Sequence, residues 1–545
     1  MDVGTTRRRT RSEVSEEVDV AIVGCGLGGL VAGAYLAQSG LRVACFDSHY
    51  VAGGCATVFK RGHGADSYHF DIGLHYIGDC DSNGMIPRLL RGLGLEQEFV
   101  PMDQDGFDTL VFPDFEFRIP ANIDLYRDRL CAQFPSEVRG IDKYIKLLRQ
   151  LEAFLQRLES KGKLTGADKL RLLLTSRSLV ANRATVAKDF FDTCTDDPML
   201  QAVLAGQSGD YGLPPSEVAT MLHMGLTLHY FKGAYYPKGG GQIISDKIAQ
   251  SIEDAGGEIH LRCGIEEILV ENGRAVGVRT EPRRGESYSI KAKAVISNAD
   301  LKKTLLELVD PAHLDTSVVK RARDFTMGGA IFMTFLGIES NMLDQGMRST
   351  NYWQFDHYDM EGVYKINRTG QRVTPQGCYI TSATIKDPGT VHHAPEGIDT
   401  VEIMALMPGD ARYWGVQDDH IKHWDYKRSE QYKALKYEVE DNLVARLEAL
   451  FPGTSQHIVH RESATPVTHS RYTRASEGTG YGLAASPSQF LEKRPGYRGP
   501  LDGLFFAGAS TRAGHGIVGA MNSGYQAALR VAKTLGRTIP EYKNM

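Results

Sequence analysis

Residues 18–47 read VDVAIVGCGLGGLVAGAYLAQSGLRVACFD, and this order predicts a strand, a glycine turn, a helix and a second strand that ends on an acid. Gly24, Gly26 and Gly29 form a G-x-G-x-x-G turn, and Gly28 lies within it. Glycines at these positions permit the tight turn, the approach of a pyrophosphate to the backbone and close packing of helix on strand. Free amides at the helix start attract the anion. The segment therefore predicts dinucleotide binding rather than a purely structural turn.

The acid that ends the second strand is Asp47, which follows Gly29 by 18 residues. A carboxylate about 20 residues beyond the glycine turn typically hydrogen-bonds a ribose hydroxyl. A second glycine pair, Gly53-Gly54, follows at once and leads to Thr57. A nicotinamide dehydrogenase has no use for a second close approach of the chain, whereas an extended FAD molecule does. The pattern therefore favours FAD.

A third glycine-rich segment lies near the C-terminus, where residues 501–528 read LDGLFFAGASTRAGHGIVGAMNSGYQAA. It predicts a strand at 504–507, a glycine loop and a helix that begins near Gly519. Such a helix again directs backbone amides at an anionic or electron-rich group.

These three segments resemble the phytoene desaturase-like flavoproteins, a branch of the amine-oxidase/glutathione-reductase superfamily. Residues 70–78, FDIGLHYIG, are most similar to the carotenoid cis–trans isomerases and retinol saturases. The resemblance runs from residue 18 to about residue 533 and includes YPKGGG at 236–241 and IEEI at 265–268. It implies the α/β fold class, a Rossmann-type FAD-binding domain with an inserted α+β substrate domain.

The resemblance also implies which residues contact FAD and substrate. Near the cofactor it places Gly24, Gly26, Gly28, Gly29, Asp47, Gly53, Gly54, Thr57, Ile265 (beside the adenine), Gly508, Ala509, Gly516, Ile517 and Val518. Ala509 stands where many relatives have an aspartate. His75, Tyr76 and His515 are the candidates for catalysis at the flavin ring. The alternative is that both histidines only hydrogen-bond backbone or flavin oxygens. Lys238 either neutralises reduced flavin or lies in solvent.

The predicted FAD-binding domain is discontinuous. We expect it to comprise 18–79, 233–299 and 499–535, after a disordered tail at 1–17. A helical substrate or membrane-facing insertion occupies 80–232. Within it, residues 141–158 are amphipathic and 169–180 are Leu-rich. These two stretches either pack into the protein core or contact lipid. A substrate domain with an antiparallel sheet occupies 300–498, with strands at 330–338, 351–355, 379–385 and 401–406 and a helix at 427–450.

Composition narrows the class of protein. The chain has 545 residues, 42% of them hydrophobic, and a formal net charge of −5, which gives no electrostatic case for nucleic-acid binding. Its eight cysteines show no C-x-x-C and no metal-ligand spacing, so we expect neither a metal site nor disulfides. The charged N-terminus and the lack of long apolar runs predict no signal peptide and no transmembrane segment. We expect a cytoplasmic protein, with peripheral membrane contact left open.

These observations predict an FAD-dependent oxidoreductase or isomerase acting on C–C double bonds of a polyene or isoprenoid lipid, by isomerisation, saturation or desaturation. A second comparable G-x-G-x-x-G turn is missing from the sequence, so electrons would pass to or from a separate carrier, a quinone or oxygen. The alternative is a net redox-neutral reaction with reduced flavin. The alternatives are an unsaturated fatty acyl or polyketide polyene as substrate, an amine-oxidase-like enzyme, and a carrier with structural FAD. An amine oxidase needs an aromatic cage, which Trp353, Trp414 and Trp424, all outside the flavin motifs, support poorly.

Overall fold

The computed structural model describes residues 15–161, 165–166, 176–283, 285–365, 373–417, 421 and 425–542. The predicted tail 1–17 lies outside this set except for its last three residues. Most of the Leu-rich run 169–180 and Trp424 also lie outside the described residues.

The first sheet brings together all three sequence segments that predict the FAD-binding domain. Within the described ranges its strands run in the order Glu258–Leu261, Val43–Asp47, Glu17–Val23, Ser289–Ser297, Arg274–Thr280 and Ile265–Glu271, with Leu504–Phe506 also paired to Ser289–Ser297. The strand Arg274–Thr280 is antiparallel to both of its neighbours, Ile265–Glu271 and Ser289–Ser297. All other pairs in this sheet are parallel. The fold class is therefore confirmed as a Rossmann-type α/β domain.

Three helices cover this sheet: Leu27–Gln38, Ile243–Asp254 and Gly516–Thr534. The first is rich in small apolar residues and is buried along its whole length up to Gln38. Side chains such as Leu30, Ile248 and Val531 meet in one hydrophobic core. Fully burying one such side chain stabilises a fold by roughly 1.5–3 kcal/mol, so this core fixes the glycine turn at its edge.

The second sheet combines strands from both insertions. In the described part of the chain its order is Ile458–Ala464, Ala330–Ile338, Asp399–Met407, Gly377–Thr381, Asn351–Phe355, Asp108–Val111 and Glu116–Ile119. All pairs are antiparallel except Asn351–Phe355 with Asp108–Val111. The stretch 80–232, predicted as helical, therefore also supplies strands, because a short apolar run after Asp108 completes the sheet.

Three predicted elements of the substrate domain have different bounds. The strand predicted at 401–406 is longer at both ends and spans Asp399–Met407. The strand predicted at 379–385 ends at Thr381, because the Ser382 hydroxyl accepts the Ile385 N–H and starts the helix Ala383–Lys386. The helix predicted at 427–450 begins at Glu430, capped by Ser429. The preceding residues Asp425–Arg428 form a 3₁₀ turn.

The remaining elements surround the two sheets. The other α-helices are Met85–Arg91, Ile123–Gln133, Val138–Lys161, Arg177–Ala181, Ala187–Asp192, Pro198–Leu204, Thr220–Tyr230, Leu301–Lys303, Thr316–Arg323, Met360–Lys365 and Pro466–Thr473. The small strands are Val58–Arg61 with Tyr68–Asp71, and Ala234–Pro237 between Ile77–Gly78 and Phe99–Pro101.

The amphipathic stretch 141–158 lies within the helix Val138–Lys161. Its apolar face, with Ile141, Tyr144 and Leu148, is buried in the core of the helical insertion. Leu155 is exposed on the same helix and borders the cavity described below. In the described ranges, every helix is too short or too polar to traverse a lipid bilayer. All eight cysteines are free.

Candidate active site

The glycine turn is the meeting point of three distant chain segments. A Cβ atom on Gly28 would lie 2.5 Å from Asn298 Oδ1 and 2.8 Å from the Gly508 backbone nitrogen. Gly26 pairs with Gly53 in an isolated parallel bridge. Side chains at these glycines would push the segments apart, so the sequence provides a narrow cradle of backbone where the pyrophosphate is expected.

Asp47 stands at the end of its strand, as predicted, and both carboxylate oxygens bind backbone. Oδ2 accepts the Cys25 N–H at 2.7 Å and Oδ1 accepts the His49 N–H at 2.8 Å. The main-chain oxygen of Asp47 accepts the Cys263 N–H at 2.7 Å. This last bond brings the buried Ile265 strand beside the acid, in the arrangement expected for ribose and adenine.

The loop at residues 508–511 is held by a buried arginine that the sequence did not reveal. Arg494 is 1% exposed and donates to the main-chain oxygens of Thr511 (2.9 Å), Ala509 (2.8 Å), Leu483 (3.0 Å) and Gln489 (3.1 Å). Burial lowers the pKa of its guanidinium to about 10, so it stays charged at neutral pH. Gly508 N–H donates to Ser523 Oγ at 2.6 Å. Arg494 therefore fixes the C-terminal glycine loop through the main-chain oxygens of Ala509 and Thr511.

The helix Gly516–Thr534 begins at the cavity wall. His515 occupies its N-cap position without a side-chain capping bond, so the first amides have no side-chain acceptor there. The predicted residues Gly516, Ile517 and Val518 line the cavity together with His515. The helix start is three residues earlier than predicted near Gly519, because the glycine-rich loop leads directly into the first turn.

A cavity of about 900 Å³ extends from these loops to the second sheet. One end is bordered by Gly54, Thr57, Gly73, His75 and residues 512–519. The other walls are mostly apolar and aromatic, including Met221, Leu226, Tyr230, Met333, Phe335, Trp353, Tyr379, Met404 and Leu406. This volume is of the size that small-molecule sites occupy.

His75 faces the cavity and is held there through its backbone. Neither ring nitrogen has a hydrogen-bond partner among the described residues, and the Nδ1 of His515 has none either. Burial lowers the pKa of both imidazoles to about 3, so both are neutral at neutral pH. Lys386 Nζ, which is buried, donates to the His75 main-chain oxygen. The two histidines can give or accept a hydrogen bond, but neither carries a spare proton.

Tyr76 belongs to a second buried network. Its hydroxyl donates to Asp210 Oδ2 at 2.6 Å and contacts Asp108 Oδ2 at 3.2 Å. Its ring stacks on Tyr230 with centroids 4.4 Å apart. Burial raises the pKa of Asp108 to about 6 and that of Asp210 well above its usual range. Asp210 also lines the cavity.

The other predicted polar residues lie elsewhere. Lys238 pairs with Glu98 at 2.9 Å at the surface, which agrees with the solvent alternative. Tyr236, the first residue of the YPKGGG stretch, is buried and donates to Asp71. Sequence reasoning missed Asp210, Lys386 and Arg494; only Asp210, an acid between glycines in SGDYG, carried a local signal.

The residues present fit FAD. The glycines let the three segments approach one another closely at the turn, and the buried Asn298 Oδ1 there has no hydrogen-bond partner in the described structure. His75, with both ring nitrogens unpartnered, and His515, with an unpartnered Nδ1, line the cavity end where the flavin ring is expected. Buried polar atoms are nearly always satisfied, so these atoms indicate a polar ligand.

Comparison with known proteins places this geometry in a family. A family model described as flavin containing amine oxidoreductase matches residues 27–358 and 423–532. The chain is similar to all-trans-retinol 13,14-reductase of Danio rerio, with 27% identity over 97% of this chain and 87% of the relative. It is also similar to the chloroplastic prolycopene isomerase of Daucus carota, with 26% identity over 96% of this chain and 81% of the relative.

Solved structures share the fold. An oxidoreductase from Methanosarcina mazei has a TM-score of 0.61 and 17% identity over 93% of this chain and 99% of its own. Wild-type putrescine oxidase bound to putrescine has a TM-score of 0.60 and 12% identity, covering 96% of this chain and 100% of its own. At these identities the likeness concerns the fold alone.

Proposed function

The chain belongs to the flavin containing amine oxidoreductase family and FAD is its cofactor, and from this premise we propose that it is an oxidoreductase or isomerase. Its substrates are C–C double bonds of a polyene or isoprenoid lipid of the retinoid or carotenoid class. The relatives named for retinol reduction and prolycopene isomerisation support this substrate class, because they align over nearly the whole chain.

The observation that carries the proposal is the character of the cavity. Apart from the end bordered by the glycine loops, its walls are mainly apolar or aromatic side chains. An apolar ligand gains roughly 25 cal/mol for each Å² of its surface removed from water, so such walls favour a hydrocarbon chain over a polar metabolite. A tunnel of this kind binds a polyene without polar anchors.

FAD supplies hydride transfer when bound. The chain's own residues orient the two reactants and exclude water. His75 and His515 offer neutral imidazoles to the cofactor end of the cavity, and the second sheet supplies the opposite wall. A separate electron carrier or quinone and peripheral contact with a membrane belong to the proposal, because the substrate is lipid-soluble and the electrons must be exchanged with another molecule.

An amine substrate is the second candidate, because Trp353 and Tyr379 face the cavity. Their centroids are 4.6 Å apart, but the ring planes meet at 68°. Two parallel aromatic walls, as a cage requires, are therefore not formed by this pair. An unsaturated fatty acyl or polyketide chain would fit the same apolar walls and is separated from a polyene terpenoid only by experiment.

The experiment compares wild type with Gly225→Leu. Gly225 lies on the helix Thr220–Tyr230 at the cavity wall, and a Cβ there meets no atom within 4 Å, so leucine fills the cavity without displacing the backbone. Both proteins, loaded with FAD and reduced under anaerobic conditions, are incubated with cis and all-trans retinoids and carotenoids. Chromatography with mass spectrometry then distinguishes a product of equal mass from one with two hydrogens more or fewer.

We expect the wild type to change the polyene and Gly225→Leu to bind FAD equally well but lose most of this conversion. Polyene turnover that is unaffected by the substitution would contradict the cavity as the substrate site. Fatty acyl chains and amines are assayed in parallel, the amines aerobically by oxygen uptake. Turnover of either in place of polyenes would replace the proposed substrate, and a flavoprotein inert towards all of them would favour a carrier.

A further inference from the structure

Two buried carboxyl groups share one tyrosine hydroxyl beside the cavity. The Tyr76 hydroxyl is 2.6 Å from Asp210 Oδ2 and 3.2 Å from Asp108 Oδ2. Asp108 and Tyr76 are buried. Asp210 is partly exposed and lines the cavity. A pair of like charges so close together in an apolar site cannot both ionise at low energetic cost.

The two carboxyl groups differ in their donors. Asp108 receives an N–H of Gln207 at Oδ2 (2.7 Å) and an N–H of Asn351 at Oδ1 (2.8 Å). Asp210 receives the Tyr76 hydroxyl at Oδ2, and its Oδ1 has no hydrogen-bond partner among the described residues. Hydrogen bonds from amides stabilise the anion, so Asp108 is the group that ionises. Burial raises the pKa of Asp210 well above its usual range, so Asp210 keeps its proton, and Oδ1, which has no other partner, is the oxygen available to carry it.

Asp210 is also adjacent to the flavin-binding loop. The Tyr481 hydroxyl donates to the main-chain oxygen of Gly209, and the Tyr481 ring packs edge-on against His515 with centroids 5.7 Å apart. The main chain of Asp210 lies beside the His515 imidazole. The acid is therefore fixed between the loop that precedes the helix Gly516–Thr534 and the apolar part of the cavity.

We propose that Asp210 is the proton donor of the site, delivering the proton on its carboxylic acid to one carbon of the substrate double bond while Tyr76 and Asp108 position it. This inference rests on the proposed function. Asp108 and Tyr76 do not touch the substrate carbon in this scheme; they act through Asp210. His75 and His515 cannot take the role, because burial keeps both imidazoles neutral.

The same proton transfer begins both isomerisation and saturation. The Asp210 O–H bond breaks, the π electron pair forms a C–H bond, and the positive charge delocalises along the remaining conjugated chain. In isomerisation the bond rotates and the same carbon returns a proton to the Asp210 carboxylate. In saturation the cation accepts a hydride from a donor of the reduced-flavin class, which is oxidised, and the carboxylate regains a proton from water. Tyr76 stabilises the carboxylate in either case.

The first test uses Asp210→Asn in the FAD-loaded protein, with the exposed Asp114→Asn as surface control. The infrared spectrum at neutral pH should contain a carboxylic-acid carbonyl band that Asp210→Asn removes and Asp114→Asn retains. This readout needs no turnover. Burial raises the pKa of Glu402 to about 8, so this carboxyl contributes a band of its own to both variants, and the readout is the difference between the wild-type and variant spectra. A difference spectrum of wild type and Asp210→Asn without a carboxylic-acid band overturns the inference even if no polyene is converted, so the failure of the proposed function stays distinguishable.

The second readout is turnover. General acid catalysis contributes about 10²–10⁴-fold, so we expect Asp210→Asn to lower kcat at least about 100-fold while the FAD content and polyene binding are unchanged. If wild type converts polyenes and the variant stays within about threefold of it, Asp210 is not the donor.

Tyr76→Phe keeps the inference falsifiable if Asp210→Asn does not fold. Loss of the hydroxyl removes the hydrogen bond to Asp210 Oδ2, so the carbonyl band should move to higher frequency. A hydrogen bond to a charged group is worth about ten- to a hundredfold, and we expect kcat to fall by that factor. An unshifted band together with unchanged kcat overturns the assignment.

Discussion

Lys386 Nζ donates a hydrogen bond of 2.5 Å to the main-chain oxygen of His75, and the lysine is 2% exposed. Its ammonium is stabilised by the charges of Glu402 and Asp71, while burial lowers its pKa to about 8. The side chain of Glu402 in turn accepts the Asp71 backbone N–H at 3.4 Å. Through these contacts the second sheet holds the loop that presents His75 to the cavity.

We expect Lys386→Met to destabilise the protein and loosen the His75 loop. The substitution leaves Asp71 and Glu402 in the interior without their cation, and breaking a buried pair in this way costs about 3–5 kcal/mol. Urea unfolding and the dissociation constant of FAD measure the two effects. The exposed Lys320→Met is the control for losing a lysine at the surface.

The companion variant is Lys386→Met with Glu402→Gln. Burial raises the pKa of Glu402 to about 8, so without its cation this carboxyl must take up a proton to stay in the interior. Replacing it by the neutral amide removes that cost, so the double variant should recover part of the lost stability. A strictly additive loss in the double variant would mean that Lys386 and Glu402 do not interact, contrary to the arrangement described above.

Gly28→Ala tests the convergence of the three segments. The new methyl group would lie 2.5 Å from Asn298 Oδ1 and 2.8 Å from the Gly508 nitrogen, so the turn, the mid-chain strand and the C-terminal loop cannot keep their positions. We expect a purified protein without the visible absorbance of flavin. Gly389→Ala, where a Cβ meets no atom within 4 Å, should remain yellow. Normal FAD content in Gly28→Ala would contradict the cradle.

Short-range patterns predicted much of the fold. The turn after Val23, the helix that follows it and the strand that ends on Asp47 depend on neighbouring residues, and the structure has all three. The strand Ala330–Ile338 also has its predicted bounds, because its mainly apolar run is that of a central strand buried on both faces.

The polar contacts of the site could not be predicted from the sequence, because they join residues that are far apart along the chain. Tyr76 and Asp210 are 134 residues apart, and Lys386 and His75 are 311 apart, so their contacts depend on the packing of whole insertions. Arg494 binds main-chain oxygens, which every residue possesses, and no side-chain pattern marks such partners. Contacts of this kind follow from tertiary structure rather than from local spacing.

Arg494→Met should release the loop at residues 508–511. The substitution leaves several buried main-chain oxygens without a donor, and each such loss costs about 1–3 kcal/mol. We expect FAD to bind at least about tenfold more weakly, measured by recovery of flavin fluorescence on dilution. Arg498→Gln, at an exposed arginine nearby, should bind FAD like the wild type. Equal affinity in Arg494→Met would show that the loop keeps its shape without the guanidinium.

His223→Gln should reduce the dependence of the free energy of unfolding on pH in the acid range. His223 is buried between the hydroxyls of Tyr144, 2.9 Å from Nε2, and Tyr211, 3.1 Å from Nδ1, and burial lowers its pKa to about 3. An unfolded histidine binds a proton below about pH 6.5, whereas the folded one does not until about pH 3. The folded state therefore has its full stability above pH ~6.5 and loses about 1.4 kcal/mol per pH unit from this residue as the pH falls.

Glutamine can donate to one tyrosine and accept from the other without titrating, so it keeps both hydrogen bonds and removes the proton-linked term. The other buried histidines affect wild type and variant alike, which makes the difference between their urea-unfolding free energies specific to position 223. We expect that difference to change by about 1.4 kcal/mol for each pH unit between about 6 and 4, in favour of the variant at low pH. The exposed His313→Gln is the surface control. Parallel curves for wild type and His223→Gln would mean that His223 takes up its proton in the folded protein as readily as in the unfolded chain.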